Sequence, residues 1–261
     1  MGVIIDEKLT WEPHIDQMCK KLASVCGILS KVRHYLNRNA LMLIYNSLVE
    51  SGLRYGILSW GTASKKQLDR VRVLQNKALR FINFSSIDTT MLPIYAHYKV
   101  LPLSKLILHR QVIHMYCFEN NLLPTAFNSY CIRPSHSYAT RYLKNNYVIP
   151  KYDSKLAEKS IKTIGSKIWA SVPNEAKILP FQNSFSKFMK NIYIDSLPTE
   201  ISSGRHILNN NTLPSSESTT LEQIFLDETP NEDFPGFELS LKDKSFSTKL
   251  QSRTSLVLTL A

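Results

Sequence analysis

Seven apolar residues, Ile15, Met18, Leu22, Val25, Leu29, Val32 and Leu36, recur at steps of three and four. That spacing lines one stripe of a 3.6-residue helix and fits neither face of a strand. It predicts a helix of more than six turns with one side buried. The helix starts after Thr10-Trp11-Glu12-Pro13, where Thr10 can cap and proline is tolerated in the first turn. Glu12 and Asp16 stand at that end, where negative charge suits the helix dipole. Cys19 and Cys26 are seven residues apart, hence on one face, and read as small apolar side chains beside the stripe. Asn37-Arg38-Asn39 breaks the pattern.

The following hundred residues repeat the helical theme. A second helix turns Leu41, Ile44, Tyr45 and Leu48 inward, and Ser51-Gly52 ends or kinks it. Leu53 to Trp60 is a short apolar segment, and Gly61-Thr62-Ala63 a turn. Ser64-Lys65-Lys66-Gln67 has the form of a capping box opening a third helix. Its buried stripe is Leu68, Val71, Leu74, Leu79 and Ile82. Its other faces carry Lys65, Lys66, Arg70, Arg72, Lys77 and Arg80 against Asp69 alone. A short helix is expected near 90–97, and Pro102-Leu103-Ser104 opens another that runs to about Asn120.

From 121 to 197 the pattern is less regular. Tyr138 to Pro150 suits an extended segment or hairpin, and Ile161 to Ile164 a short strand. Lys167 to Ser171 and Ser184 to Ile194 read as helices, the second burying Phe185, Phe188, Met189 and Ile192. Beyond 198, serine and asparagine clusters and the acidic run 227–233 leave few periodic apolar positions. Such a segment is expected to be a disordered tail. The fold class is therefore mainly α, with a helical bundle, a smaller mixed helix and extended region, and that tail. The division is 1–9, 10–120, 121–197 and 198–261.

Charge is distributed unevenly. The chain carries a net +11, but residues 198–261 hold nine acidic and five basic side chains, so residues 1–197 stand at +15. A domain-sized excess of that size suggests a polyanionic partner, nucleic acid being the commonest, although it also suits a soluble domain that is merely basic. Tyr138, Tyr142 and Tyr147 interleave with Arg133, Arg141 and Lys144. This segment and the helix at 64–83 are the two nucleic-acid candidates, since cations meet phosphates and aromatic rings stack on bases. Each also reads as a solvated basic face beside a tyrosine-rich core edge.

Other chemistries find little support. Four cysteines are too few for a disulfide scaffold, and no apolar run is long enough to cross a membrane. No basic stretch precedes an apolar one at the N-terminus, so the expected compartment is nucleus or cytoplasm. His109, His114, Cys117 and Cys131 have a spacing that matches no zinc pattern. Neither nucleophile-elbow nor phosphate-loop motifs occur.

Gly2-Val3-Ile4-Ile5-Asp6, followed by Leu9-Thr10-Trp11-Glu12-Pro13-His14-Ile15, resembles the end of the reverse transcriptase domain of jockey-type non-LTR retrotransposons. The resemblance continues through Gly27-Ile28-Leu29, Leu43 to Leu48, Leu53-Arg54-Tyr55-Gly56, Trp60-Gly61 and Leu74 to Arg80. It extends through Arg141 and Pro150 to Gly165 to Trp169, Val172-Pro173 and Phe185 to Lys190. The family's W-N-x-L-P reads Trp169-Ala170-Ser171-Val172-Pro173 here, so its asparagine and leucine are replaced.

The resemblance implies that residues 2–6 are the last strand of a polymerase palm and 10–83 its helical thumb, with a post-polymerase region from 90 to 197. It also implies that the metal-binding carboxylates, and the Mg²⁺ they hold, belong to a palm preceding Met1. No cofactor and no polymerase activity are then expected of this chain alone. The implied partners are RNA, DNA or an RNA–DNA hybrid, and the missing polymerase half. A thumb holds its duplex by backbone and shape. The implied phosphate contacts are Lys20, Lys21, Lys65, Lys66, Arg70, Arg72, Lys77 and Arg80, with Arg141 and Lys144 added from the tyrosine-rich segment. The alternative is a domesticated or decayed helical interaction protein with no nucleic-acid role.

Overall fold

A computed structural model describes residues 2–127, 131–132 and 147–197. The chain divides into two units, Met1–Glu217 and Ser218–Ala261. The second unit lies outside the described residues, as do the expected tail from 198 and most of the expected hairpin at 138–150. The described part is mainly α, and no strand occurs in it.

The stripe forms α1, Glu12–Val32, which buries Ile15, Met18, Leu22, Cys26 and Leu29. The helix stops one turn earlier than the stripe suggests, leaving Leu36 on the surface. The Thr10 hydroxyl accepts from the Glu12 amide at 3.4 Å, but Thr10 does not occupy the N-cap position. Trp11 takes the N-cap position in the left-handed region, at φ 63°. The Asp6 carboxylate organises that entry by accepting from the Thr10 amide and hydroxyl and from the Trp11 amide at 2.8–2.9 Å. These bonds hold the Asp6 carboxyl below its ordinary pKa, the Thr10 amide foremost.

Helix α2, Arg38–Ile44, runs through a π-helical stretch, Tyr45–Glu50, into α3, Ser51–Arg54. Ser51-Gly52 therefore does not end the helix. The wider π turn accounts for the difference in which side chains face inward. The Ser51 amide bonds the Asn46 carbonyl five residues back. Tyr45, Val49 and Leu53 consequently share the core side, whereas Leu48 is turned out at 48% exposure.

After α4, Ile57–Trp60, Ser64 begins α5, Lys65–Asn83, as its N-cap. The capping box does not form. The Ser64 side chain makes no cap bond, and Gln67 Oε1 instead accepts from Arg70 at 2.7 Å. The buried stripe is Val71, Gln75, Ala78, Leu79 and Ile82, with Leu68 and Leu74 half-buried. Gln75 is a polar residue in a dry place. Its amide donates to the Tyr45 hydroxyl at 3.1 Å and to the Leu101 carbonyl at 3.0 Å, which ties α5 to the π turn and to the chain entering α7.

Helix α6 spans Met91–His97 and α7 spans Leu103–Glu119. Buried residues surround α7, among them Leu106, Ile107, Val112, Met115 and Tyr116, as expected of a central helix. Beyond it lie α8, Lys155–Glu158, α9, Ile161–Ser171, α10, Asn174–Lys177, and α11, Gln182–Asp195. The expected strand at 161–164 is thus the first turn of α9. Local β propensity there yields to packing. Gly165 brings α9 so close to α7 that a side chain on it would collide with the Met115 sulfur. Helix α11 buries Phe185, Met189 and Tyr193, with Phe188 and Ile192 half-buried. Phe185 stacks on Tyr116 at 4.3 Å, and the Tyr116 hydroxyl donates to the Leu179 carbonyl at 2.6 Å. One buried cluster therefore draws on both sides of residue 120.

Candidate nucleic-acid interface

The site is built on α1 and α5. Asp16 meets Arg70, the Cys26 thiol donates to the Leu74 carbonyl at 3.5 Å, and Arg33 lies over Phe81 and Phe84. Contacts that advance along both helices together mean that the two run side by side in the same direction.

Helical phase then sorts the cations of α5 into two rows. Lys66, Arg70, Val73 and Lys77 follow steps of four, three and four and continue into Phe81. Arg70 and Phe81 place this row beside α1. Lys65, Asp69, Arg72, Asn76 and Arg80 form the other row. Asn76 accepts from the Tyr95 hydroxyl at 2.6 Å, so that row flanks α6. Lys66 to Lys77 spans about 16 Å of helix axis.

The cations differ in what already holds them. Lys20 and Lys66 are exposed and form no ion pair among the described residues. Lys77 is exposed and lies 6.0 Å from the Phe81 ring. Lys65 is exposed as well. Arg70 pairs with Asp16 at 2.7 Å, and that hydrogen bond raises its pKa. Arg72 pairs with Asp69 at 2.9 Å on its own helix. Arg80 is half-buried and donates to the Thr89 carbonyl at 3.3 Å. Lys21 is half-buried on another side of α1 from Asp16, in a narrow cleft with His14 and Tyr55. The structure thus gathers Lys66, Arg70 and Lys77 on one row and puts Arg72 and Arg80 on another. Arg141 and Lys144 lie outside the described residues, as do Tyr138 and Tyr142. Tyr147 is buried, its hydroxyl donating to Glu119 and its ring edge-on to Phe118, so it serves packing.

Asp16 is the acid that sequence reasoning misassigned. It stands at the start of α1 but acts across to α5. A second cluster has no signature in residue spacing. The Arg33 guanidinium lies 5.5 Å from the Phe81 ring and 5.6 Å from that of Phe84, and His34 meets Phe84 edge-on at 5.9 Å. The run Arg33-His34-Tyr35 was its visible half. Phe84 joins it through a left-handed turn at φ 57°, which spacing does not encode.

Other reactive groups are quiet. Burial pushes the Cys26 thiol up to about 11 and raises Cys19. His109 is packed against α11, with Nε2 2.9 Å from the Ser186 carbonyl, and burial lowers its pKa to about 4. His114 is edge-on to Phe127, and Cys131 lies near Ser166. Among the described residues no three of His, Cys, Asp and Glu are placed to hold a metal ion.

Known proteins share part of this chain. The probable RNA-directed DNA polymerase from transposon BS of Drosophila melanogaster is 32% identical over 88 residues, covering 31% of this chain and 9% of that protein. The RNA-directed DNA polymerases from mobile element jockey of Drosophila melanogaster and Drosophila funebris are 32% and 34% identical, each over 32% of this chain and 9% of their own length. The chain is similar to jockey-type RNA-directed DNA polymerases. It spans about a tenth of the length of these relatives. Neither a family model nor a solved structure matches it. No described helix is long and apolar enough to cross a membrane.

Proposed function

We propose that this chain is the thumb and post-polymerase region of a jockey-like RNA-directed DNA polymerase and that it holds the template–primer duplex. The row Lys66, Arg70 and Lys77 along α5 carries the reading. It offers three cations on one side of one helix, and its acidic neighbour is Asp16. A rigid helix edge bearing regularly spaced cations can follow a phosphate backbone without reading bases. A hybrid of A-like form, whose base edges side chains reach poorly, is recognised in that way. Lys20 on α1 is the flanking contact. The metal-dependent chemistry of polymerisation falls to the remaining nine-tenths of such a polymerase. That remaining part is also the expected protein partner, and the exposed Leu48 and Tyr55 around the cleft near Gly2 suit its seat.

The test is binding of an RNA–DNA hybrid as a function of salt, for the natural chain and for a Lys66→Glu, Lys77→Glu double variant. Each lost phosphate contact flattens the logarithmic salt dependence by roughly 0.7 to 0.9. The double variant is expected to flatten it by roughly 1.4 to 1.8 and to weaken binding correspondingly. Salt-insensitive or absent binding by the natural chain overturns the reading and leaves the protein-interaction alternative.

A further inference from the structure

Where α1 and α5 end, the molecule changes from a ladder of cations to a cluster of rings beside a cleft. We infer that this end is a binding site for single-stranded nucleotides that continue from the duplex held along α5, with a base stacked at Phe84 and its phosphate drawn to Arg38. The inference rests on the proposed nucleic-acid reading and adds a substrate class to it.

Three observations carry it. First, the Lys66, Arg70 and Lys77 row leads into Phe81 and Phe84, so a strand following those cations arrives at the rings. Phe84 is 47% exposed and Tyr35, on the turn after α1, is 87% exposed. Aromatic faces left in water beside cations are the usual platform for unpaired bases. Second, the guanidinium of Arg33 is held by rings, at 5.5 and 5.6 Å, and neither Arg33 nor Arg38 has an ion pair among the described residues. Their charge is not cancelled by carboxylates. No acidic residue occurs from 17 to 49, and Asp88 is the single one from 70 to 118.

Third, an open cleft of about 320 Å³ reaches Asn83, the residue before Phe84 in the chain, and is lined by Arg38, Asn83, Thr89, Thr90, Pro93, Ile94 and His97. Its volume is at the lower end of the range for small-ligand sites, the scale of a sugar and phosphate. Arg80 backs it, donating to the Thr89 carbonyl while its Nε is buried without an acceptor. The Thr89 and Thr90 hydroxyls, the Asn83 amide and the Arg38 guanidinium offer a sugar and phosphate hydrogen-bond partners between the apolar walls of Pro93 and Ile94.

The experiment compares a blunt RNA–DNA hybrid with the same hybrid bearing a single-stranded extension that contains 2-aminopurine, whose fluorescence falls on stacking. The natural chain is expected to bind the extended hybrid roughly fivefold or more tighter, with quenching. Phe84→Asn suits the left-handed backbone while removing the ring. Arg38→Glu places an acid in a first helical turn, where it is tolerated. Each is expected to abolish the preference and leave blunt-hybrid binding within about twofold. Tyr35→Ala, at an almost fully exposed position, provides a third variant should either of the others unfold. If the hybrid binds but the extension adds no affinity and no quenching, this inference is overturned while the duplex reading stands. If neither nucleic acid binds, both fall together.

Discussion

Asp16→Asn should make the protein bind nucleic acid better. Asp16 and Arg70 are joined at 2.7 Å with both side chains 44% exposed, so this is a surface ion pair. Such pairs contribute between zero and about 1 kcal/mol to stability. For a folded unit of this size, losing that much lowers Tm by less than about 4 °C. Against this small cost, the substitution removes the carboxylate that, among the described residues, pairs with the Lys66, Arg70 and Lys77 row, and it frees the Arg70 guanidinium. One additional phosphate contact steepens the logarithmic salt dependence by about 0.9 for duplex DNA, which corresponds to roughly fivefold to tenfold tighter binding at 0.1 M salt. Fluorescence anisotropy of a labelled hybrid, titrated at several salt concentrations, reads both quantities. Asp69→Asn is the matched control. It frees Arg72 from an equivalent pair at 2.9 Å, but on the row that faces α6. The expected result is a steeper slope for Asp16→Asn and an unchanged one for Asp69→Asn. A gain of affinity cannot come from misfolding. Equal effects of the two variants, or no effect of Asp16→Asn, would refute the assignment of phosphate contact to the α1 side of α5.

Three further outcomes test the packing. Gln75→Leu should cost about 2 to 4 kcal/mol in urea unfolding, because the buried Tyr45 hydroxyl and Leu101 carbonyl each lose a donor. Gly56→Ala should destabilise by about 1 to 2 kcal/mol, since φ is 62° and the added methyl would lie 2.7 Å from Val3 Cγ2. His109 titrates near 4 in the folded protein, below its ordinary 6.5, because burial disfavours the imidazolium. The unfolded chain therefore binds the extra proton over that range. Stability is fully present above about pH 6.5 and falls as pH drops toward 4, by about 3 kcal/mol at most. His109→Gln should flatten that part of the pH–stability curve; an unchanged profile would refute the assignment.

What sequence could reveal here divides along a physical line. The stripes of α1 and α5 and the face of α11 that carries Phe185 and Met189 follow from period, because a helix side facing a core must repeat every 3.6 residues, and the start of α7 at Leu103 follows from Pro102. The exceptions are places where a distant partner sets the outcome. Leu48 faces water because one π turn, closed by the Ser51 amide on Asn46, advances the helix by a residue. Ile161 to Ile164 is helical because Gly165 lets α9 approach Met115 on α7, a contact made across about fifty residues of chain.

The site follows the same division. That α5 is strongly basic is plain from composition, and its two rows could be drawn by helical arithmetic. What each row faces is a tertiary matter, set by α1 on one side and α6 on the other. Asp16 illustrates the limit most sharply. At four residues past Glu12 it reads as a charge on a helix dipole, and only the parallel course of α1 beside α5 turns it into the partner of Arg70. The same juxtaposition brings Arg33 over Phe81 and Phe84, so one packing choice both pairs Arg70 with an acid and builds an aromatic end. A site made by two helices side by side is therefore legible in sequence as two basic segments and becomes a surface only when their pairing is known.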